Sequence, residues 1–491
     1  MKRPFVYCAI GALMASAFSI YFIEHSLIFL LVCIVFIAVS ALCYYFTTRF
    51  LRALCVFTAM ALVFLSSLLT YYVAVQPVAK LENETVNLTA VVLEPPSYYD
   101  DHITYRVDVL EVESADYRKF KADIIDYSGS AVAKPSDVIK TRVKFRETSK
   151  GANRVFYYSD KVFINGSVST DIQVVGKRPN FLISAREYIT TFYSDVLPDD
   201  ISSVLSALTI GDKSNLEKHF SEQIRFSGVS HIMVVSGLHL AIICRFLLEN
   251  LRKFGISKKV CAALTLVAIF CVVALCSFTV SALRAGFTYA VMLFGVIILR
   301  RSDAINSLGF AACVIFLINP FAVANISFQL SFAATLGIVL ICPKSVEKIN
   351  NFLPQNKLHY PLSKIGELLA VNFAATVATV PICVYHFGEL SLVSPITNVL
   401  ISYCVTCILV LALISVLISV IPYAKFIYMP LILVCGLLTR YINFVIEALG
   451  SLRFASVSVN ENCAFIILII YAVIYATYRY LKRSKIYAYS R

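Results

Sequence analysis

The sequence predicts a polytopic α-helical membrane protein with a small extracytoplasmic β-barrel inserted after its first spans. Three observations predict it. Of 491 residues, 59% are hydrophobic and 15% charged, with a mean hydropathy of +0.78, whereas ordinary soluble domains carry about 25% charged residues. Apolar runs of about 20 residues, the length a helix needs to cross hydrocarbon, recur from end to end. One long stretch, residues 76–180, abandons that pattern for short β-branched runs punctuated by Pro and Gly.

Residues 1–75 form the first region, with apolar segments near 5–23, 26–46 and 51–75. The first resembles a signal peptide behind Lys2 and Arg3. Two more spans follow at once and no small-residue cleavage site stands out, so a retained span is expected. Lys2 and Arg3 place the N-terminus in the cytoplasm, and Arg49 and Arg52 return to that side. The third span then exits, leaving residues 76–200 extracytoplasmic.

In residues 76–180, "ETVNLTAVVLEPP", "HITYRVDVLEVE", "KFKADIIDYS", "KTRVKFRE" and "KVFINGSVSTDIQVVG" alternate with period 2. Five short strands suit a small barrel or sandwich. In "KTRVKFR", Lys140, Arg142, Lys144 and Arg146 fall on one face, with Val143 and Phe145 on the other. Residues 77–180 hold 15 basic and 15 acidic side chains, so this basic face is local. It reads either as a solvated strand face or as a groove facing a polyanion.

Residues 181–230 mix apolar positions at helical spacing with charge, as in "DDISSVLSALTIGDKSNLEKHFSEQIRF". Amphipathic interfacial helices are expected there. The remainder, 231–491, threads as nine spans: 231–250, 260–280, 283–299, 304–320, 325–342, 364–386, 391–421, 426–449 and 461–481. Basic residues including Arg252, Lys253, Arg300, Arg301, Lys344 and Lys357 fall on the cytoplasmic side, as does the tail "LKRSKIY". About twelve spans are expected in all, with 391–421 either one tilted helix or a broken pair.

Several function classes are disfavoured. The net charge of +13 fits cytoplasmic loops and by itself indicates no nucleic acid. The fifteen cysteines lie in or beside apolar runs, where buried Cys acts as a small hydrophobe. "IGDKS" at 210–214 resembles the end of a phosphate loop, but Ser206 stands where the leading Gly belongs and no strand precedes it. No His/Cys/carboxylate set has metal-ligand spacing, and no metal or cofactor is expected.

Polar groups inside apolar spans are the positive signal, because they normally face a partner or water. Arg284 in "SFTVSALRAGFTYA" reads as snorkelling or pore-facing. Asn325, Ser327, Gln329 and Ser331 in "NISFQLSFAATLG" form two polar strips at i, i+4 spacing, suited to interhelical hydrogen bonds. Ser236 and His239 share a helix face, but no carboxylate follows before Glu249 to complete a nucleophilic site.

The stretch "ALTIGDKSNLEKHFSEQIRFSGVSHIMVVSGLHLAII" resembles the hallmark region of the ComEC competence family. So, in order, do "ALRAG", "DAINSLGFAACVIFLINPFAVANISFQLSFAATLG" and "VATVPICVYHFGELSLVSPITNVL". The resemblance implies an oligonucleotide-binding-like (OB-like) barrel and a channel passing single-stranded transforming DNA across a bacterial cytoplasmic membrane. It makes Gly211, Asp212, Ser230, His231, Ser236, Gly237, His239, Arg284, Gln329 and Ser331 the motif and pore candidates. Lys140, Arg142, Lys144 and Arg146 could gather DNA by counterion release, with Tyr98, Tyr105 or Phe145 for stacking.

No catalytic residue is expected in that reading. The expected partners are single-stranded DNA, the lipid bilayer, an extracytoplasmic DNA receptor, a cytoplasmic DNA-translocating ATPase and a separate nuclease. Longer family members continue into a metallo-β-lactamase-like domain, whereas this chain stops ten residues after the last span. A nuclease role for this polypeptide is therefore not expected. The competing readings are a membrane-embedded hydrolase using Ser236/His239 or Asp212, and a small-molecule transporter, although no internal repeat is visible.

Overall fold

The computed structural model describes residues 3–46, 50–99, 101–113, 119–128, 133–146, 154–233, 236–300, 302–353, 359–460 and 462–473. The charge markers Lys2, Arg49, Arg301 and Lys357 and the basic tail lie outside the described residues. Two compact units emerge. One comprises Met1–Leu216, Met233–Phe328 and Leu409–Gly436; the other comprises Glu217–Ile232, Gln329–Ile408 and Leu437–Arg491.

The barrel belongs to the first unit. Its strands are β1 (Thr85–Val92), β2 (Ser97–Tyr98), β3 (Ile103–Val112), β4 (Phe120–Asp126), β5 (Asp137–Arg146), β6 (Ile164–Val168) and β7 (Gln173–Lys177). Pairing runs β1–β3–β4–β6–β5 and back to β1, so five strands close a barrel; β2 adds to β3 and β7 to β5. The β4–β6 pair is parallel and its neighbours β3–β4 and β5–β6 are antiparallel. Closure leaves no long free edge to template aggregation. The expected run "KVFINGSVSTDIQVVG" is two strands rather than one, β6 closing the barrel and β7 extending it.

Period-2 alternation decides which side chains fill the interior. On β5, Ile139, Val143 and Phe145 are buried while Lys140, Arg142, Lys144 and Arg146 are exposed. Tyr105 and Phe145 are core residues, 0% and 1% exposed. They cannot stack on a ligand, because burying large aromatics inside a small barrel supplies its cohesion. Tyr98 remains outside.

The barrel is anchored on the first unit's helices through the short helix Arg154–Ser159. Arg154 Nη2 donates to the Ile20 carbonyl at 3.1 Å. Asn319 Nδ2 donates to the Ser159 carbonyl at 2.7 Å, and Asn325 Nδ2 to Asp160 Oδ1 at 2.8 Å. Tyr158, Phe163 and Phe321 pack edge-on and tilted among these bonds.

Among the described residues, eight helices are long and apolar enough to cross a membrane: Pro4–Tyr21, Leu51–Ala79, Lys258–Leu275, Val280–Ile297, Ile326–Phe352, Leu362–Phe387, Ser394–Ser419 and Lys425–Gly450. Ser26–Ala41, Ala304–Ile318 and Cys463–Val473 are apolar but shorter. The chain is therefore a multi-pass membrane protein with a small barrel, and by length and composition the described spans number eight. The helix after His231 begins only at Gly237 and carries Arg245, Glu249, Arg252 and Lys253, so it does not join that set. Residues 394–419 form one unbroken helix.

The expected interfacial segment contains three helices, Phe181–Ser194, Asp199–Ile210 and Lys218–Phe226. The middle one differs from the amphipathic expectation, since every residue from Ile201 to Ile210 is buried. Small residues at Ser202, Ser203, Ser206 and Ala207 let neighbours close around it, and Thr209 folds its hydroxyl back to the Leu205 carbonyl at 2.8 Å.

Candidate functional site

The motif residues occupy interruptions of the helical backbone, and each has a local reason to be there. Gly211 ends the buried helix with φ +74°, a left-handed cap that costs other residues strain. Its N–H reaches Ala207, and the Asp212 N–H reaches Ser206. Asp212 Oδ1 then accepts from the Ser214 N–H at 3.1 Å and the Ser214 hydroxyl at 2.7 Å. "GDKS" is thus a helix stop followed by a side-chain-closed turn, not a nucleotide loop.

Ser236 caps the helix Gly237–Lys253. Its Oγ accepts from the Leu238 N–H at 3.3 Å, and His239 Nδ1 accepts from the Ser236 N–H at 3.3 Å. Ser236 Oγ lies 3.0 Å from the same Nδ1, a spacing that would also suit a nucleophile and base. The reciprocal capping pattern uses both groups structurally. His239 is buried, and Val234 and Val235 of the motif lie outside the described residues.

Arg284 sits in the second turn of Val280–Ile297 and is 4% exposed. At that exposure its guanidinium packs against protein rather than reaching open solvent. Its guanidinium lies over Gly237: a Cβ added there would fall 2.6 Å from Arg284 Nη2. The "SGLH" and "ALRAG" motifs therefore meet in the first unit, and Gly237 is small because Arg284 occupies the space.

In the second unit, Gln329 Oε1 lies 2.9 Å from His386 Nε2, joining "NISFQLSFAATLG" to "VYHF". Sequence reasoning misses His386, because a lone His in an apolar run carries no spacing signal. Asn325 does not share a strip with Gln329, because it caps the helix by accepting the Phe328 N–H at 3.0 Å and turns to Asp160. Ser331 is half-buried and its carbonyl accepts the Thr335 hydroxyl. Ser230 and His231 are exposed in a turn, ahead of the helix expected to start there. Just before them, Gly228 has φ +73° and packs on Ser394, whose hydroxyl donates to the Gly228 carbonyl at 3.3 Å. Arg225 pairs with Glu389 at 3.2 Å, beside the two-stranded ribbon Glu389–Ser391 with Ser456–Ser458.

The basic row on the barrel is brought together as expected. Lys140, Arg142 and Lys144 stand opposite Thr89, Asn87 and Thr85 on β1, and Lys140 faces Gln173 on β7. Lys144 and Arg146 face Ser167 and Asn165 on β6. No carboxylate occupies a directly opposed position, and Lys140, Arg142 and Lys144 make no ion pair among the described residues. Arg146 donates to the Tyr127 hydroxyl at 3.2 Å.

A different arrangement surrounds Arg106 on β3. It forks onto Asp123 at 3.0 and 3.1 Å, with Glu94 at 3.9 Å and Asp160 at 3.7 Å. Burial lifts the Asp160 carboxyl above its ordinary value, against the pull of Arg106 and Asn325. Its side chain keeps 42% of its exposure, so water screens both effects. Arg106, Asp123 and Asp160 line a cavity of about 270 Å³ with Tyr99, His102, Phe156 and Tyr157. Among the described residues there is no group of three His, Cys, Asp or Glu able to hold a metal.

A family model described as "Competence protein" matches residues 208–484, more than half the chain. The chain is 28% identical over 258 residues to ComE operon protein 3 of Bacillus subtilis (strain 168), covering 52% of this chain and 31% of that protein. It thus aligns with about a third of that relative's length. No solved structure matches.

Proposed function

The chain belongs to the competence protein family, and from that premise we propose that it is a channel passing one strand of transforming DNA across the bacterial cytoplasmic membrane. The observation that carries the reading is the pairing of ordered family motifs with a basic row whose Lys140, Arg142 and Lys144 stand opposite uncharged residues, on a barrel next to the first spans. A polyanion cannot enter hydrocarbon, so its path needs polar groups that bind phosphate weakly enough to release it. In the first unit, Arg284 over Gly237 places a charged group inside an apolar helix, which supports that reading.

In this reading the barrel is OB-like and extracytoplasmic. Its circuit, renumbered by barrel strand, is 1-2-3-5-4, with the third and fifth strands parallel. Both termini are cytoplasmic, and the chain contributes no catalytic step. The driving force comes from a cytoplasmic ATPase, with an extracytoplasmic receptor delivering DNA and a separate nuclease removing the other strand.

The test is entry of labelled duplex DNA into competent cells with and without this chain. DNase-protected label is expected to vanish without it while surface-bound label persists. Unchanged protection would refute the channel reading.

A further inference from the structure

The basic row and the cavity beside Arg106 share one continuous surface. Across adjacent strands, Arg106 pairs with Asp123, Asp123 with Asn165, and Asn165 with Arg146. One step along, Thr104, Ile125, Ser167 and Lys144 form a parallel line. Strands lie about 4.8 Å apart, so the cavity begins within about 15 Å of the cationic strand. Aromatic rings bridge the two: Arg146 holds Tyr127, Tyr127 lies 5.7 Å from His102, and His102 stacks on Tyr99 at 4.6 Å and 14°.

The chemistry changes along this surface. On β5, Lys140, Arg142 and Lys144 are exposed and face no carboxylate directly across the sheet, which suits phosphate. In the cavity the one guanidinium is outnumbered by the carboxylates of Asp123 and Asp160, with Glu94 also 3.9 Å from it, so a phosphate would be repelled. What that interior favours is a flat group carrying N–H donors for Asp160 or Asp123 and a π-face for the rings. Tyr99, Tyr127 and Phe156 are 57%, 51% and 48% exposed, whereas Tyr105, Phe120 and Phe145 are turned into the barrel. The cavity wall is also held still, since Asp160 is fixed by Asn325.

We propose that this cavity is a nucleobase pocket: it takes one unpaired base of the incoming strand while the β5 row holds neighbouring phosphates. The proposal rests on the DNA-uptake reading and deepens it. A base inside a duplex is stacked and paired, so only a single strand or an extruded base reaches such a pocket. The barrel would thereby sense strandedness, whereas the cationic row binds both forms.

The experiment uses the full chain in lipid nanodiscs and fluorescence anisotropy with a short labelled oligonucleotide. The single strand, its duplex and an abasic strand of equal length are compared. Tyr99→Ala and Tyr157→Ala are expected to weaken single-strand binding roughly five- to 150-fold, the range for losing one stacked base. Duplex binding stays unchanged. The abasic strand is expected to bind wild-type protein with a similar deficit, a result independent of whether any variant folds. Equal affinity for abasic and base-bearing strands would overturn the pocket, as would intact single-strand binding in both variants. A free nucleoside monophosphate competing as well as the strand does would also overturn it, marking a nucleotide site. If wild-type protein bound no DNA in a salt-dependent way, the uptake reading itself would fail; salt-dependent binding indifferent to the pocket would sink only the pocket.

Discussion

Replacing Lys140, Arg142 and Lys144 together by Ala should flatten the salt dependence of DNA binding by a calculable amount. The three side chains point to one face of β5, spaced by two residues, which sets successive cations about 6.8 Å apart. Their directly opposed neighbours are Thr, Asn, Ser and Gln, so no carboxylate faces them across the sheet. Each phosphate neutralised on a single strand contributes about 0.7 to the slope of log affinity against log salt. Three contacts give about 2, so their share of affinity falls about 16-fold when salt rises from about 50 to 200 mM. Anisotropy titrations of the full chain in nanodiscs across that range measure the slope directly. Arg3→Ala is the internal control, because that guanidinium is paired with Asp303 and lies outside the barrel, so it should leave the slope unchanged. A triple variant with the wild-type slope would refute the reasoning, since the row would then not touch the DNA backbone.

Four further outcomes follow from the packing. Gly228→Ala combines a left-handed backbone with a Cβ 2.5 Å from Ser394 Cβ, and should destabilise by about 2–4 kcal/mol; thermal unfolding in detergent should show a clear drop. Gly255 has φ +76° but open space around it, so Gly255→Ala should show only the backbone part, about 1–2 kcal/mol, and equal drops would mean the Ser394 contact is irrelevant. Arg284→Met should cut DNase-protected label by about tenfold or more, the loss of one charge-assisted contact, while surface-bound label persists; unaltered protection would remove Arg284 from the path. Ser236→Ala should cost about 1 kcal/mol of helix capping and leave uptake largely intact, whereas abolished uptake with unchanged thermal stability would favour the hydrolase reading.

The barrel is the more legible half of the molecule. Period-2 alternation states directly which side each residue faces, so the basic face of β5 and the burial of Val143 and Phe145 follow from the residue order alone. The same rule, applied to "HITYRV", also sends Tyr105 inward, because it falls in phase with buried Ile103 and Val107; a stacking role for it conflicts with that register. The cavity is not legible, since Tyr99 and His102 come from a loop, Arg106 from β3, Asp123 from β4 and Asp160 from beyond the helix Arg154–Ser159. Their proximity depends on barrel closure, which local pattern does not encode. In the helices, hydropathy locates the apolar runs but not their ends. His231 lies in an apolar context, yet the helix waits for the Ser236 cap.

The motif residues act on the backbone before they can act on any strand. An unbroken helix through residues 199–253 would satisfy its own N–H and C=O groups; stops at Gly211 and Gly228 and a restart at Ser236 leave groups that Asp212, Ser394, Ser236 and His239 must meet. Irregular backbone of this kind persists in a membrane protein only where protein packs it or water reaches it. A substitution at Gly211 or Gly228 therefore alters the chain path and the polar groups together, and lost uptake there would not separate the two. Arg284 is different. It lies within a regular helix, so truncating it changes the side chain over Gly237 and leaves the backbone bonds of Val280–Ile297 in place. Among the motif positions of the first unit it is where uptake reports most directly on what the strand meets.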